Sequence, residues 1–135
     1  MSTEYNHFPQ LIDLINREIS DILRTEPELI SNDIKTAMNQ PHSGRIYKRR
    51  SVEHQASAPG EAPAIDTGAY INSIQIKRNN KTASIQSNQQ QALALELGRP
   101  EKNLLPRPAW IPAAKRSSQR IRRRMKALEG KIKNV

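Results

Sequence analysis

Apolar residues fall at Phe8, Leu11, Ile12, Ile15, Ile19, Ile22 and Leu23, and then at Ile30, Ile34 and Met38. That 3.6-residue period predicts a helical segment with one face to bury. Pro27 interrupts the pattern, and "TEPE" offers Thr25 as an N-cap with Glu28 three residues on. The segment therefore reads as two helices or as one kinked helix, closed by Pro41. Residues 40–66 carry no period. The run "SGRIYKRRSVEH" predicts an extended arm over 45–53, and Pro59, Gly60 and Pro63 exclude a central strand or a helix interior beyond it. More than 20 such residues exceed what a compact domain usually leaves without a use, so they read either as a disordered surface loop or as a loop ordered against a neighbouring molecule.

From Asp66 the pattern returns. Asp66 or Thr67 can cap a short turn through "GAYINS"; Ile74 and Ile76 then open a strand, "RNNK" turns it, and Ala83 and Ile85 bring it back as a hairpin with one buried face. After the polar connection "SNQQQ", the segment "ALALELG" spaces Ala92, Leu93, Leu95 and Leu97 as a short helix with Gly98 to end it. Four prolines hold "RPEKNLLPRPAWIP" extended. A last helix runs over 112–133 with Ile121, Met125, Leu128 and Ile132 as a narrow stripe, a rod of about 33 Å ringed by basic residues.

These elements predict one α+β domain over 1–135. It comprises an N-terminal helical segment (1–40), an extended arm (41–66), a hairpin with a short helix and a Pro-rich connection (67–111), and a long basic helix (112–135) packed on a small antiparallel sheet. Only 36% of residues are apolar and 4% aromatic, so the core is thin for a chain with nine prolines. Part of its order is expected from partners. The chain has no Cys, hence no disulfide or thiolate chemistry. No apolar run approaches the length that spans a bilayer, and the first residues do not form a signal peptide; the reading is a soluble protein made in the cytoplasm, without membrane contact.

The net charge of +9 is unevenly placed. Residues 1–40 hold seven acids against three bases, whereas residues 115–135 hold nine bases against Glu129 alone. Opposite ends of this kind suit head-to-tail contact between copies or capture of a polyanion. On the basic helix, Arg120, Arg122, Arg123, Arg124 and Lys126 would contact phosphates in a non-specific, salt-dependent manner, or would simply form a solvated face. No aromatic interleaving or helix-turn-helix pattern points to base readout.

Catalytic chemistry finds little support. His7, His42 and His54 are scattered, and no cofactor or metal is implied. Glu96 reads as a buried acid or a helix-capping partner, and Asp66 as a cap, with no nucleophile system near either. "SAPGEAP" carries the wrong charge to cradle phosphate. The expectation is a chain without enzymatic activity.

The order "SGRIYKRR…HQASAPGEAPAIDTGAYINSI…QALALELGR…PRPAWIPA" before a final helix resembles the lambdoid-type head-tail joining, tail-completion or neck proteins of long-tailed bacteriophages, over roughly residues 44–114. The family pattern falls on Thr67, Gly68, Tyr70 and Ser73, on Ala92, Glu96 and Gly98, and on Arg107 and Pro108. Gln91, Arg99 and Ala109 depart from it, standing where the family has Tyr, Thr and Phe. The resemblance implies a virion protein that forms a ring of six copies, or twelve, at the head-tail junction. Its partners would be the adjacent connector or adaptor and the tail-terminator or tail-tube proteins, with the packaged DNA passing through. It implies an inter-subunit arm, assigned to Ile46, Tyr47, Pro59, Pro63 and Ile65. The basic helix would line the DNA channel or meet an acidic face of another neck protein, the favoured use, pairing with acids such as Glu4, Asp13 and Asp21 where those are exposed at a contact. A standalone nucleic-acid-binding protein is the alternative.

Overall fold

The computed structural model describes residues 8–135. Glu4 and His7 lie outside them. In chain order the elements are helix α1 (Phe8–Met38), strands β1 (Ile46–Arg49) and β2 (Val52–Gln55), helix α2 (Ala69–Ser73), strands β3 (Gln75–Arg78) and β4 (Ala83–Gln86), helix α3 (Gln91–Leu97), a 3-10 turn (Pro100–Lys102) and helix α4 (Trp110–Lys133). The fold is α+β, with the two long helices packed on each other and two separate two-stranded antiparallel sheets in place of the single sheet expected.

Pro27 does not divide α1. The helix runs through it for 31 residues, and Thr25 sits inside it with its hydroxyl donating to the Asp21 carbonyl, so it is not an N-cap. A proline lacks the N–H that would bond the carbonyl four residues back, which here is Leu23. Arg78, at the end of β3, fills that gap: its guanidinium donates to the carbonyls of Leu23 (3.5 Å) and Arg24 (3.1 Å) and pairs with Glu28 at 3.1 Å. Tertiary contact thus supplies what the local sequence withholds. At the other end, the side chains of Asn39 and Gln40 donate to the Lys35 and Thr36 carbonyls before Pro41.

Strands β3 and β4 form the expected hairpin, with Ile76 opposite Ile85 and Arg78 opposite Ala83. The Asn79 carboxamide accepts the N–H groups of Lys81 and Thr82 to close the turn. The core gathers Ile34 and Met38 of α1, Tyr70 and Ile74 around α2, and Ala109 and Ala113 at the start of α4, with Ile30, Ile85, Leu95 and Trp110 against them. Small residues at 109, 113 and 117 let α4 approach α1 closely.

The segment read as an extended arm is itself folded. Residues 46–55 form a tight hairpin, pairing Ile46 with Gln55 and Arg49 with Val52, and Arg50 and Ser51 at its tip both take left-handed backbone angles (φ 51° and 65°). Such angles match the strand twist a two-residue turn requires, though these residues lack the glycine or asparagine that signals it.

Candidate functional site

The residues that carry the family resemblance converge on one structural knot. Glu96 of α3 is buried, and its carboxylate accepts the backbone N–H groups of Ala109, Trp110 and Ile111, each at 2.9 Å. Those N–H groups are orphans of the α4 N-terminus, so one charge from a different helix satisfies the helix start and lies at the positive end of its dipole. Of the two readings of Glu96, both hold: it is a buried acid and a cap. Three of its lone-pair sites are thereby committed to backbone N–H groups.

Around it, Trp110 Nε1 donates to the Tyr70 hydroxyl at 2.8 Å. Burial pushes the Tyr70 phenol above its ordinary range. The Ser73 hydroxyl donates to the Tyr70 carbonyl and meets Ser87 Oγ, both at 2.6 Å. Gly68 (φ 85°) turns the chain into α2, while the Thr67 hydroxyl accepts the Ala69 N–H. Gly98 ends α3 at φ 78°, where a Cβ would lie 2.8 Å from the Leu104 carbonyl oxygen. Arg107, ahead of Pro108, donates to Ser57 through its side chain and to the Leu95 carbonyl through its backbone. The motif therefore knits α2, α3 and α4 together.

Asp66 does not cap α2. It pairs with Arg49 and lies 3.8 Å from His54 Nδ1, while Tyr47 and His54 stack across the hairpin at 5.6 Å. These contacts tie the hairpin to the chain's own body beside an open cavity of about 360 Å³, lined in part by Tyr47, Arg49, Ile65, Tyr70 and Leu95. Glu61 pins the next stretch by accepting the N–H groups of Ala58 and Ser43 and the Ser43 hydroxyl, which hold its carboxyl below the usual range. Pro63 is buried within the chain and Tyr47 half-buried, so of the arm residues Ile46, Pro59 and Ile65 remain exposed. Among the described residues, no cluster of three His, Asp or Glu side chains suits a metal ion.

The basic helix divides into two faces. Arg116 pairs with Asp33 (3.2 Å), Arg120 with Glu26 (3.0 Å) and Asp33 (3.3 Å), and Arg124 with Glu18 (2.8 Å), Asp21 and the Thr25 hydroxyl. The acid numbers fall as the arginine numbers rise, the signature of antiparallel helices. Glu26 is only 3% exposed and also accepts the Ser117 hydroxyl at 2.9 Å. Arg120 and Arg124 are thus committed within the chain and drop out of the expected DNA or partner contact. Asp13 and Asp21 are likewise engaged, by Arg17 and by Arg24 with Arg124, which lowers both carboxyls. The acids Glu18, Glu26 and Asp33, spaced eight and seven apart, were the sequence signal for this ladder. On the outer face, Lys115, Arg122, Arg123 and Lys126 are exposed and carry no ion pair among the described residues.

Comparison of the chain with protein-family models, curated proteins and solved structures finds no match.

Proposed function

We propose that this chain is a structural subunit of a ring at the head-tail junction of a long-tailed bacteriophage. Six copies, or twelve, would surround the DNA channel and bind the adjoining connector and tail proteins, without catalysis. The order of the motifs from Thr67 to Pro108 supports the family, because the same residues that define the resemblance form the knot around Glu96.

The observation that carries self-assembly is surface. A compact monomer of 15.3 kDa exposes about 7,100 Å², and this chain exposes 9747 Å². The seven undescribed residues can account for at most about 1,250 Å² of the excess. Large apolar side chains are part of that surface. The α1 stripe runs on past the reach of Arg78 with Phe8, Ile12 and Ile19 each about half exposed, and Ile46 and Val52 on the hairpin and Leu93, Leu97 and Leu105 near α3 are exposed as well. A ring needs two different surfaces on each subunit, and these patches lie on different elements.

Two variants test the reading: Ile46→Ser with Val52→Ser, and Ile12→Ser with Ile19→Ser. Light scattering should show either pair reducing the assembly to smaller species while the helical circular dichroism is retained. Unaltered mass in both would refute the assignment of these patches.

A further inference from the structure

The charges on α4 can be matched against everything else on the chain. Among the described residues, every side-chain carboxylate except Glu53 already has an ion-pair or hydrogen-bond partner. Glu53 sits opposite Lys48 in the hairpin. The described part of a second copy therefore offers Lys115, Arg122, Arg123 and Lys126 only Glu53 and carboxylates that already hold partners. A molecule with a dense row of free anionic groups is the better counterpart for that face.

The face is built for a line of charge. At 3.6 residues per turn, Lys115, Arg122, Lys126 and Lys133 fall within about 40° of one another, along about 27 Å of helix, and Arg123 flanks them. Lys133 is held by Glu129 at 3.2 Å, which leaves four free cations. Between Lys115 and Lys133 the row also contains Gln119, Glu129 and Gly130, and Met125, 39% exposed, borders it on the side opposite Arg123. A protein partner would find only one flexible apolar side chain to desolvate beside the row, whereas interface energy concentrates in clusters of buried aromatic and aliphatic groups. A phosphate backbone needs only cations, and arginine forks fit its oxygens. The ladder on the opposite side keeps the rod in place, since Arg116, Arg120 and Arg124 hold α4 to α1.

We infer that the outer face of α4, through Lys115, Arg122, Arg123 and Lys126, binds the phosphate backbone of duplex DNA without reading its sequence. This deepens the ring reading, which supplies the DNA, but the contact itself does not require the ring.

The test uses the full chain and a mixed-sequence 30-base-pair duplex, with fluorescence anisotropy between 50 and 200 mM NaCl. Four phosphate contacts give a slope of about −3.6 in log affinity against log salt, a loss of about 10²-fold over that range. Changing Lys115, Arg122, Arg123 and Lys126 to Gln should flatten the slope by about 3.6 and weaken binding at 50 mM by at least about 10²-fold. A control variant with Lys48, Arg50, Lys77 and Lys81 changed to Gln removes as much charge elsewhere and should stay within about threefold of the parent. Equal loss in both variants, an unchanged slope in the first, or displacement of the duplex by poly-L-glutamate at equal charge would overturn the inference; the last would point to an acidic protein instead. The mass of each sample is read in parallel. A single-copy protein that still shows this pattern removes the ring and leaves the DNA face standing.

Discussion

Replacing Arg120 by Met is the sharpest perturbation of the helix pair. It keeps most of the volume and removes the cation from Glu26, a carboxylate 3% exposed whose remaining donor is Ser117. Breaking a buried pair by removing one partner costs about 3–5 kcal/mol. Arg120 retains about a quarter of its exposure, so water can partly take its place, and the expected cost is about 2–3 kcal/mol. For 135 residues the unfolding entropy is about 0.28 kcal/mol/K, so the melting temperature should fall by roughly 7–10 °C. The companion variant Glu26→Leu with Arg120→Met replaces both charges by apolar groups and should be clearly more stable than Arg120→Met alone, because no buried charge is left unpaired. Calorimetry at one fixed protein concentration, with urea titration as a second measure, decides it. A shift under about 2 °C for the single change, or a double variant whose loss equals the sum of the separate losses, would refute the claim that this pair locks α1 to α4.

Other consequences concern the knot. Glu96→Ala leaves three N–H groups at the α4 start without their acceptor and should cost about 2–3 kcal/mol, with a shift in the emission of Trp110, the chain's single tryptophan. Gly98→Ala meets both a left-handed backbone angle and the Leu104 oxygen, and should lose about 2 kcal/mol or more in urea unfolding. Because burial raises the Tyr70 phenol, the folded state holds that proton more tightly than the unfolded chain. Stability is then fully present below about pH 10 and declines as pH rises through the folded value, and Tyr70→Phe should abolish this alkaline loss while altering Trp110 emission. The lowered carboxyls of Asp21 and Glu61 act oppositely, so stability should drop as pH falls below about 4 and the Arg24 and Ala58 contacts are lost.

Local pattern revealed the elements where burial has a period. The α1 stripe, the Ile76–Ile85 hairpin, the short helix closed by Gly98 and the final helix could all be read from spacing. Continuity through Pro27 could not, because it depends on Arg78, which lies 51 positions downstream. The first hairpin was hidden for a related reason: Arg50 and Ser51 adopt left-handed angles without the residues that advertise such a turn, and its anchor, Asp66, looked like a helix cap. At the basic helix, composition gave the charge but not its division. Lying on the α1-facing side removes Arg120 and Arg124 from the candidate face, while Lys115, outside the central arginine run, belongs to it.

Native mass spectrometry of the unmodified full chain at micromolar concentration tests self-assembly most directly. The account predicts a closed species of roughly 92 kDa, six copies of 15.3 kDa, or its twelve-copy counterpart. A 15.3 kDa species that persists alone up to hundreds of micromolar would contradict it.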